Sequence, residues 1–151
     1  MSEVFLAPGL RTPFVKAGGA YASLSALDLS APVVKAMVEK GPPDFLVWGQ
    51  VIPDPAISNI ARELAFEAGL DPHIPAFATV LACSTSFMGM IEAAGMVGRG
   101  GTRVALVGGV ETMSHIPMGL KQAAADTIIR LFNTDPTGAA TTLTKLSVDG
   151  L

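Results

Sequence analysis

The residue with the clearest chemical potential is Cys83, the single cysteine among 151 residues. It stands in FATVLACSTSFMGM, residues 77–90, between a β-branched apolar run and a group of small hydroxyl residues. A free cysteine is often an inert core residue. At the start of a helix, however, the helix dipole stabilises a thiolate, and small neighbours leave room for a substrate. The residues alone therefore leave packing and chemistry both open for Cys83.

Four short apolar runs predict β-strands at intervals along the chain. They are VFLA, FLVWG, FATVL and RVALVGG, at residues 4–7, 45–49, 77–81 and 103–109. Because helical patterns separate them, we expect an α/β fold with a mostly parallel sheet. Functional residues of such folds gather beyond the carboxyl ends of the strands. Cys83 lies two residues past one of those predicted ends, at a strand-to-helix junction.

Two amphipathic helices are predicted, one before and one after the second strand. The first covers roughly residues 27–40, and Pro32 either kinks it or lies in its first turn with Ser30 as the cap. The second follows Ser58 as the predicted N-cap and stops at Gly69.

A third predicted helix runs from about Cys83 to Val97 and is apolar on nearly all sides. Between residues 75 and 102 the only charged side chains are Glu92 and Arg99. We expect such a helix to be buried on more than one face, as a central helix between two layers is. The glycines of GRGG come after this helix and before a strand, which reverses the order of a dinucleotide-binding fingerprint. We interpret them as a helix stop and a turn.

Two histidines are candidate partners for the thiol. His73 lies in the proline-bounded loop DPHIP and is predicted to be a solvated loop residue. His115 follows the last predicted strand, so a Cys83–His115 dyad is conceivable, since thiolate chemistry often uses histidine. Nothing in the spacing requires that dyad. No group of Cys, His, Asp and Glu has metal-ligand spacing, so no metal site is predicted.

The composition limits the class of protein. Half of the residues are hydrophobic, 15% are charged, and mean hydropathy is +0.49. No apolar run approaches the roughly 18–20 residues of a membrane helix, and the start does not resemble a signal peptide. A net charge of −3 offers no footprint for nucleic acid, and the lone cysteine fits a reducing, cytoplasmic compartment. We expect a soluble globular protein whose apolar surface another subunit, or another part of the same chain, covers.

The pattern weakens beyond Leu120. Residues 121–132 are predicted to form an amphipathic helix, whereas residues 133–151 are loop-like. This helix could line an acyl channel or touch a membrane surface, although an ordinary packed helix is the interpretation we favour.

Four motifs occur in an order that resembles the amino-terminal half of a thiolase. They are RTPF at 11–14, SNIARE at 58–63, VLACSTS at 80–86 and GGVETMS at 108–114. The chain looks most like the long-chain 3-ketoacyl-CoA thiolase type, similar to the β-subunit of the fatty-acid-oxidation trifunctional complex. The resemblance covers about residues 4–118, and it rests on the ordered set, since RTPF alone is weakly specific.

The resemblance implies a five-layered αβαβα fold with Cys83 as the catalytic nucleophile. Cys83 would attack a 3-ketoacyl-CoA, release acetyl-CoA and hold the acyl group as a thioester until coenzyme A takes it up. The reverse steps condense two acyl-CoA molecules. The backbone N–H of Cys83 would be one oxyanion donor. Coenzyme A thioesters are the expected substrates, with no further cofactor, and no coenzyme A-binding residue is assigned.

The resemblance also implies an assembly and a division of the chain. Subunits would pair through the strand Phe77–Leu81 as a homodimer, with a homotetramer as a further option. Residues 1–118 would form the half-domain that carries the nucleophile, and residues 119–151 would begin the coenzyme A-binding loop region. Asn59 and Arg62 would belong to a structural motif near the interface. The turn after the fourth strand would be shaped by Gly108, Gly109, Glu111 and Ser114.

Two features of a thiolase are missing from this sequence. The family needs a histidine in a GHP-type motif and a second cysteine in a CxG motif, and neither is present. We therefore expect the chain to be incomplete and inactive alone. Two alternatives remain open, namely a 3-ketoacyl synthase-like condensing enzyme and a non-catalytic half-thiolase that acts as a binding or assembly module.

Overall fold

The computed structural model describes residues 3–117, 119 and 121–141. The chain divides into two compact units, Met1–Pro117 and Met118–Leu151. The first unit contains α1 (Ala26–Val38), β1 (Phe45–Gly49), α2 (Ile60–Glu67), β2 (Ala76–Thr79), α3 (Thr85–Gly98) and β3 (Ala105–Gly109), and the second contains α4 (Gln122–Thr134).

The three strands form one parallel sheet in the order β2-β1-β3. In its register, Val47 of β1 lies beside Phe77 of β2 and Val107 of β3. All five residues of β1 are buried, as expected for the central strand of a sheet with helices on both faces. The predicted α/β class with a parallel sheet is confirmed.

Successive residues of β1 serve opposite faces of the sheet. On the side of α1 and α2, Trp48 donates from Nε1 to Ser30 Oγ at 3.0 Å within the core. On the side of α3, a methyl group at Gly89 would lie only 3.0 Å from Val107, so the helix packs directly on the sheet. The core under α1 and α2 includes Val34, Leu46, Trp48, Ile60, Ala61, Leu64 and Ala65.

Residues 4–7 do not form the predicted first strand. Phe5 and Leu6 are 83% and 84% exposed, and the segment has no strand assignment. A strand persists only where its backbone groups pair with a neighbouring strand. The described sheet therefore has three strands instead of the predicted four, and β2 ends at Thr79, two residues earlier than predicted.

The first helix begins at Ala26, close to the predicted start near residue 27 and five residues before the start that a Ser30 cap would give. Ser25 Oγ accepts from the backbone N–H of Asp28 at 3.1 Å, and Asp28 Oδ2 accepts from the N–H of Ser25 at 2.9 Å. This capping box lowers the pKa of Asp28, chiefly through the Ser25 hydroxyl. Pro32 consequently lies inside α1, and Ser30 is a buried core residue rather than a cap.

The other helices differ from prediction in detail. The N-cap of α2 is Asn59 rather than Ser58, while Gly69 ends the helix region in the left-handed conformation, with φ +68°. The helix predicted over residues 121–132 is confirmed as α4. Residues 136–141 are helical rather than loop-like, and the rest of the segment predicted as loop lies outside the described residues.

The third helix is not buried on more than one face. Its sheet side consists of Thr85, Gly89 and Ala93, at four-residue intervals. The opposite side presents Phe87 and Ile91, which are 67% and 66% exposed. Within the described residues, α3 packs against the three strands, so the second covering layer that its apolar sequence predicts is not found there.

Candidate active site

Cys83 lies in the turn that joins β2 to α3, at the carboxyl edge of the parallel sheet. The strand ends at Thr79, the helix begins at Thr85, and the thiol between them is exposed. The predicted position of Cys83, past a strand and just before a helix, is confirmed. Val80 and Leu81, which precede it, are 56% and 52% exposed, so an apolar surface adjoins the thiol.

The turn around Cys83 has an unusual backbone. Ala82 has φ +45°, and it is the one non-glycine residue with positive φ in the described part of the chain. This conformation costs an L-residue roughly 1–2 kcal/mol. The turn is closed by the N–H of Ser84, which donates to the carbonyl of Leu81 at 3.0 Å. The thiol is thus presented from a short, defined turn.

Two glycines let the first turn of α3 approach the ends of β1 and β3. A Cβ on Gly49 would lie 2.0 Å from Thr85 Cγ2, and a Cβ on Gly109 would lie 2.5 Å from Ser86 Oγ. Side chains at either position would therefore displace the start of the helix. The helix that follows Cys83 rests directly on the backbone of two neighbouring strands.

Gly108 has a related role on the other side of the sheet. A Cβ there would lie 2.2 Å from the ring of the buried Trp48. Gly108 and Gly109 belong to β3 itself, so they serve helix and ring packing rather than the turn after the strand, where the resemblance placed them.

Glu111 and Ser114 organise the loops at the same edge of the sheet. Glu111 Oε2 accepts from the backbone N–H groups of Val51 and Ile52, at 2.7 and 3.1 Å, which ties the loop after β3 to the loop after β1. Ser114 Oγ accepts from the N–H of Gly18 at 3.0 Å. Both side chains therefore hold separate backbone segments together beyond the end of β3.

Asn59 and Arg62 hold the start of the edge strand β2. Asn59 Oδ1 caps α2 by accepting from the N–H of Arg62 at 3.2 Å, and its Nδ2 donates to the carbonyl of Ala76 at 3.0 Å. Arg62 donates to the carbonyls of Ile74 and Pro72. These contacts are structural, and they connect α2 with the strand that leads to Cys83.

Neither histidine is joined to the thiol. The side chain of His73 is 92% exposed, and its Nδ1 lies 2.9 Å from Asp71 Oδ1, which confirms a solvated loop residue. The pKa of Asp71 is lowered, first by the backbone N–H of His73. Within the described residues, no hydrogen bond or ion pair connects Cys83 with His115. The conceivable Cys83–His115 dyad is therefore not formed, and no described side chain is hydrogen-bonded to the thiol as a base would be.

A cavity of about 510 Å³ lies away from Cys83. It is lined by residues 9–17 and by residues of α1, β3 and the loop that follows β3. Cys83 is not among its lining residues. This cavity therefore offers no acyl pocket for the thiol.

No helix among the described residues is long and apolar enough to cross a membrane. No group of three or more His, Cys, Asp or Glu side chains among them is arranged to hold a metal ion.

Comparison with known proteins places these features in a family. Residues 4–144 match the N-terminal domain of thiolase. The chain is 35% identical over 134 residues to a 3-ketoacyl-CoA thiolase of Shewanella sediminis, covering 85% of this chain and 31% of the relative. It is 35% identical over 132 residues to a 3-ketoacyl-CoA thiolase of Yersinia enterocolitica, covering 84% and 30%. The chain thus spans about a third of the length of these curated relatives.

Solved structures show the same likeness. The acetyl-CoA acetyltransferase of Bacillus anthracis superposes with a TM-score of 0.67 at 29% identity, covering 71% of this chain and 28% of that one. The Acat5 thiolase of Ascaris suum, solved in complex with coenzyme A, gives 0.69 at 25% identity, covering 75% and 31%. The likeness confirms a thiolase-like α/β fold, of which the first unit here shows one helix–sheet–helix portion. With its family match over residues 4–144, the chain belongs to the thiolase N-terminal domain family.

Proposed function

We propose that this chain carries the nucleophile of a thiolase-type acyltransferase, and that the nucleophile is Cys83. The observation that carries the proposal is the exposed thiol in the turn between β2 and α3, in a member of the thiolase family. The turn places Cys83 directly before Ser84, the N-cap of α3, close to the positive end of the helix dipole, which attracts negative charge.

The proposed reaction has two steps. The Cys83 thiolate adds to the keto carbonyl of a 3-ketoacyl-CoA, and the bond between the α-carbon and that carbonyl breaks. The α-carbon takes up a proton as acetyl-CoA leaves, and the remaining acyl group stays on Cys83 as a thioester. The thiolate of coenzyme A then attacks this thioester, and the Cys83 thiolate departs. A covalent intermediate divides one difficult step into two easier ones.

Charge develops on the carbonyl oxygen in both steps. The backbone N–H of Cys83 is our candidate donor to that oxygen, and one well-aligned donor is worth roughly 3–4 kcal/mol of transition-state stabilisation. The base that forms the thiolate and the group that delivers the α-proton have no candidates beside Cys83 among the described residues. We infer that these groups come from the remaining two-thirds of a thiolase, and that the 151-residue chain is inactive without them.

The finer assignments follow from the same proposal. The substrates are 3-ketoacyl-CoA and coenzyme A in fatty-acid oxidation, or two acyl-CoA molecules in the reverse condensation. The compartment we propose is the cytoplasm, on the basis of the single cysteine. Residues 119–151 would begin the coenzyme A-binding loop region. Support comes from the relatives, which are named 3-ketoacyl-CoA thiolase, and from the Ascaris suum neighbour, which was solved with coenzyme A.

Two measurements on the purified chain test the acyl transfer. Incubation with acetyl-CoA should place one acetyl group on Cys83 by thioester exchange, a step that needs only the thiolate, and added coenzyme A should remove it. Peptide mass mapping locates the group. Thiolysis of acetoacetyl-CoA by the same chain should show no turnover above background. An acetyl group on another residue, or none, contradicts the nucleophile, and robust thiolysis contradicts the inferred incompleteness.

We also propose that subunits pair through β2 and the residues that follow it, over Phe77–Leu81. β2 is an edge strand of the described sheet. The N–H of Leu46 donates to the carbonyl of Pro75 at 3.0 Å, so alternate residues from 75 onward face β1. Ala76 and Ala78 consequently turn their backbone groups outward, and Asn59 occupies the carbonyl of Ala76. Among the described residues, none forms a hydrogen bond with the outward N–H or carbonyl of Ala78, so these two groups are available for pairing.

Sedimentation of the chain across a concentration series tests this pairing. We expect a dimer, and we expect Ala78→Pro to shift it to monomer, because proline removes the outward N–H without touching the bonds to β1. Ala78→Ser keeps the N–H and is the matched control. A monomer at all concentrations, or a dimer that Ala78→Pro leaves unchanged, argues against pairing through β2.

A non-catalytic assembly module is the second candidate. The observation in its favour is that no described side chain is positioned as a base for Cys83. This candidate predicts that acetyl-CoA modifies Cys83 no faster than it modifies the cysteine of a free peptide of residues 78–88, whereas the nucleophile should react faster than that peptide, so the acetylation rate separates the two.

A further inference from the structure

The backbone turn that carries Cys83 needs stabilising contacts from neighbouring residues. Ala82 is in the left-handed region at φ +45°, where an L-residue is disfavoured. A conformation of this kind persists only when surrounding contacts hold it. The contacts of the turn therefore identify what maintains the orientation of the thiol.

Thr85 supplies two of those contacts with one hydroxyl group. Its Oγ1 accepts from the backbone N–H of Leu81 at 2.8 Å and donates to the carbonyl of Ala82 at 2.7 Å. These backbone groups lie on either side of the strained peptide segment. The hydroxyl thus fixes the backbone of Leu81 and Ala82, the two residues that precede Cys83.

Thr85 is itself held in place by packing. Its side chain is buried, with 4% of the residue exposed, and its methyl group sits over Gly49, where any side chain would clash. The methyl group positions the hydroxyl, and the hydroxyl positions the turn. Serine at this position keeps the hydroxyl that holds the turn and loses the methyl group that packs over Gly49. Valine keeps a methyl group in that place and loses the hydroxyl.

We propose that Thr85 is a positioning residue for Cys83, holding the Ala82 turn so that the thiol stays at the N-terminus of α3. This inference rests on the proposed function, in which Cys83 is the nucleophile. Thr85 does not touch the substrate in this scheme. It acts through the backbone of Leu81 and Ala82, and its loss leaves the N–H of Leu81 without its acceptor.

Alkylation of Cys83 by iodoacetamide at one neutral pH tests the proposal without coenzyme A. The unchanged chain should react faster than a free peptide of residues 78–88. Thr85→Val should lower the rate roughly threefold, to that of the peptide, because the thiol leaves the helix terminus. Thr85→Ser should stay within roughly twofold of the unchanged chain. Val34→Ala, a core change on the other face of the sheet, should lower the melting temperature and leave the alkylation rate unchanged.

Hydrogen exchange at the Leu81 amide is the second measurement. The amide should be protected in the unchanged chain and in Thr85→Ser, and should exchange faster in Thr85→Val. The proposal is overturned if Thr85→Val alkylates like the unchanged chain, if Val34→Ala slows alkylation equally, or if the unchanged chain reacts like the peptide. If Thr85→Val does not fold, exchange at the Leu81 amide of the unchanged chain decides the matter. An unprotected amide overturns the proposal, and a protected one supports it. Failure of acetylation by acetyl-CoA would instead count against the proposed function.

Discussion

Cys83→Ser takes up acetyl groups from acetyl-CoA at least about 1000-fold more slowly than the unchanged chain. The reason is the nucleophile. A cysteine thiol is a few per cent thiolate at neutral pH and intrinsically very nucleophilic, whereas a serine hydroxyl is effectively un-ionised. A serine nucleophile needs an adjacent base, and no described side chain is placed to act as one at this position. The substitution keeps the size of the side chain closely, so the turn and the helix remain in place.

Intact mass measured over time after addition of acetyl-CoA gives the rate, with circular dichroism to verify folding. Ser84→Ala is the matched control, because Ser84 is the next residue and its side chain makes no capping hydrogen bond. It should acetylate at nearly the rate of the unchanged chain. An adduct on Cys83→Ser that forms at a comparable rate would show that another group receives the acetyl.

The position of the thiol could be predicted from the sequence because it depends on a local pattern. An apolar run followed by small residues and a helical stretch indicates a strand, a turn and a helix. Alternation of such segments also indicates a parallel sheet, and the carboxyl edge of that sheet is where functional residues gather. Cys83 lies at that edge in the structure, and Gly98 to Gly101 end the helix as their order in the sequence suggests.

The prediction of a strand at residues 4–7 was wrong because strand formation there depends on distant parts of the chain and not on a local pattern. VFLA satisfies the same criterion of composition as FLVWG, yet the first is exposed and the second is fully buried. A strand requires hydrogen-bonding partners from distant parts of the chain, and its own residues do not report whether those partners are in reach. The same holds for α3, whose apolar outer face does not reveal what covers it.

The stabilisation of the Cys83 turn by Thr85 was not predicted, although the sequence contains a signal for it. The runs FLVWG and RVALVGG both end in glycine, at the edge of the sheet where the thiol emerges. Glycine at the end of a buried strand suggests close approach of another backbone or side chain. Recognising Thr85 as the residue that fills this space requires the register of the strands and the direction of α3, which only the structure supplies.

Gly49→Ala should lower the free energy of unfolding of the Met1–Pro117 unit by about 3 kcal/mol. The added Cβ would lie 2.0 Å from Thr85 Cγ2 and 3.1 Å from the carbonyl oxygen of Thr79. Neither neighbour can yield easily, because Thr85 is buried and bonded to the Cys83 turn, while Thr79 belongs to β2. Overpacking of this kind costs typically 1–3 kcal/mol, and the close contact places the effect at the upper end.

Denaturant unfolding followed by circular dichroism measures the stability, and Gly41→Ala is the matched control. A Cβ on Gly41 meets no atom within 4 Å, so that variant should be as stable as the unchanged chain or slightly more so.

The clash in Gly49→Ala predicts a second result, since relief of the contact requires the first turn of α3 to move. Alkylation of Cys83 in folded Gly49→Ala should therefore slow towards the rate of the free peptide. Full stability with normal alkylation would mean that α3 does not rest on Gly49, and would remove the support on which the position of Thr85 depends.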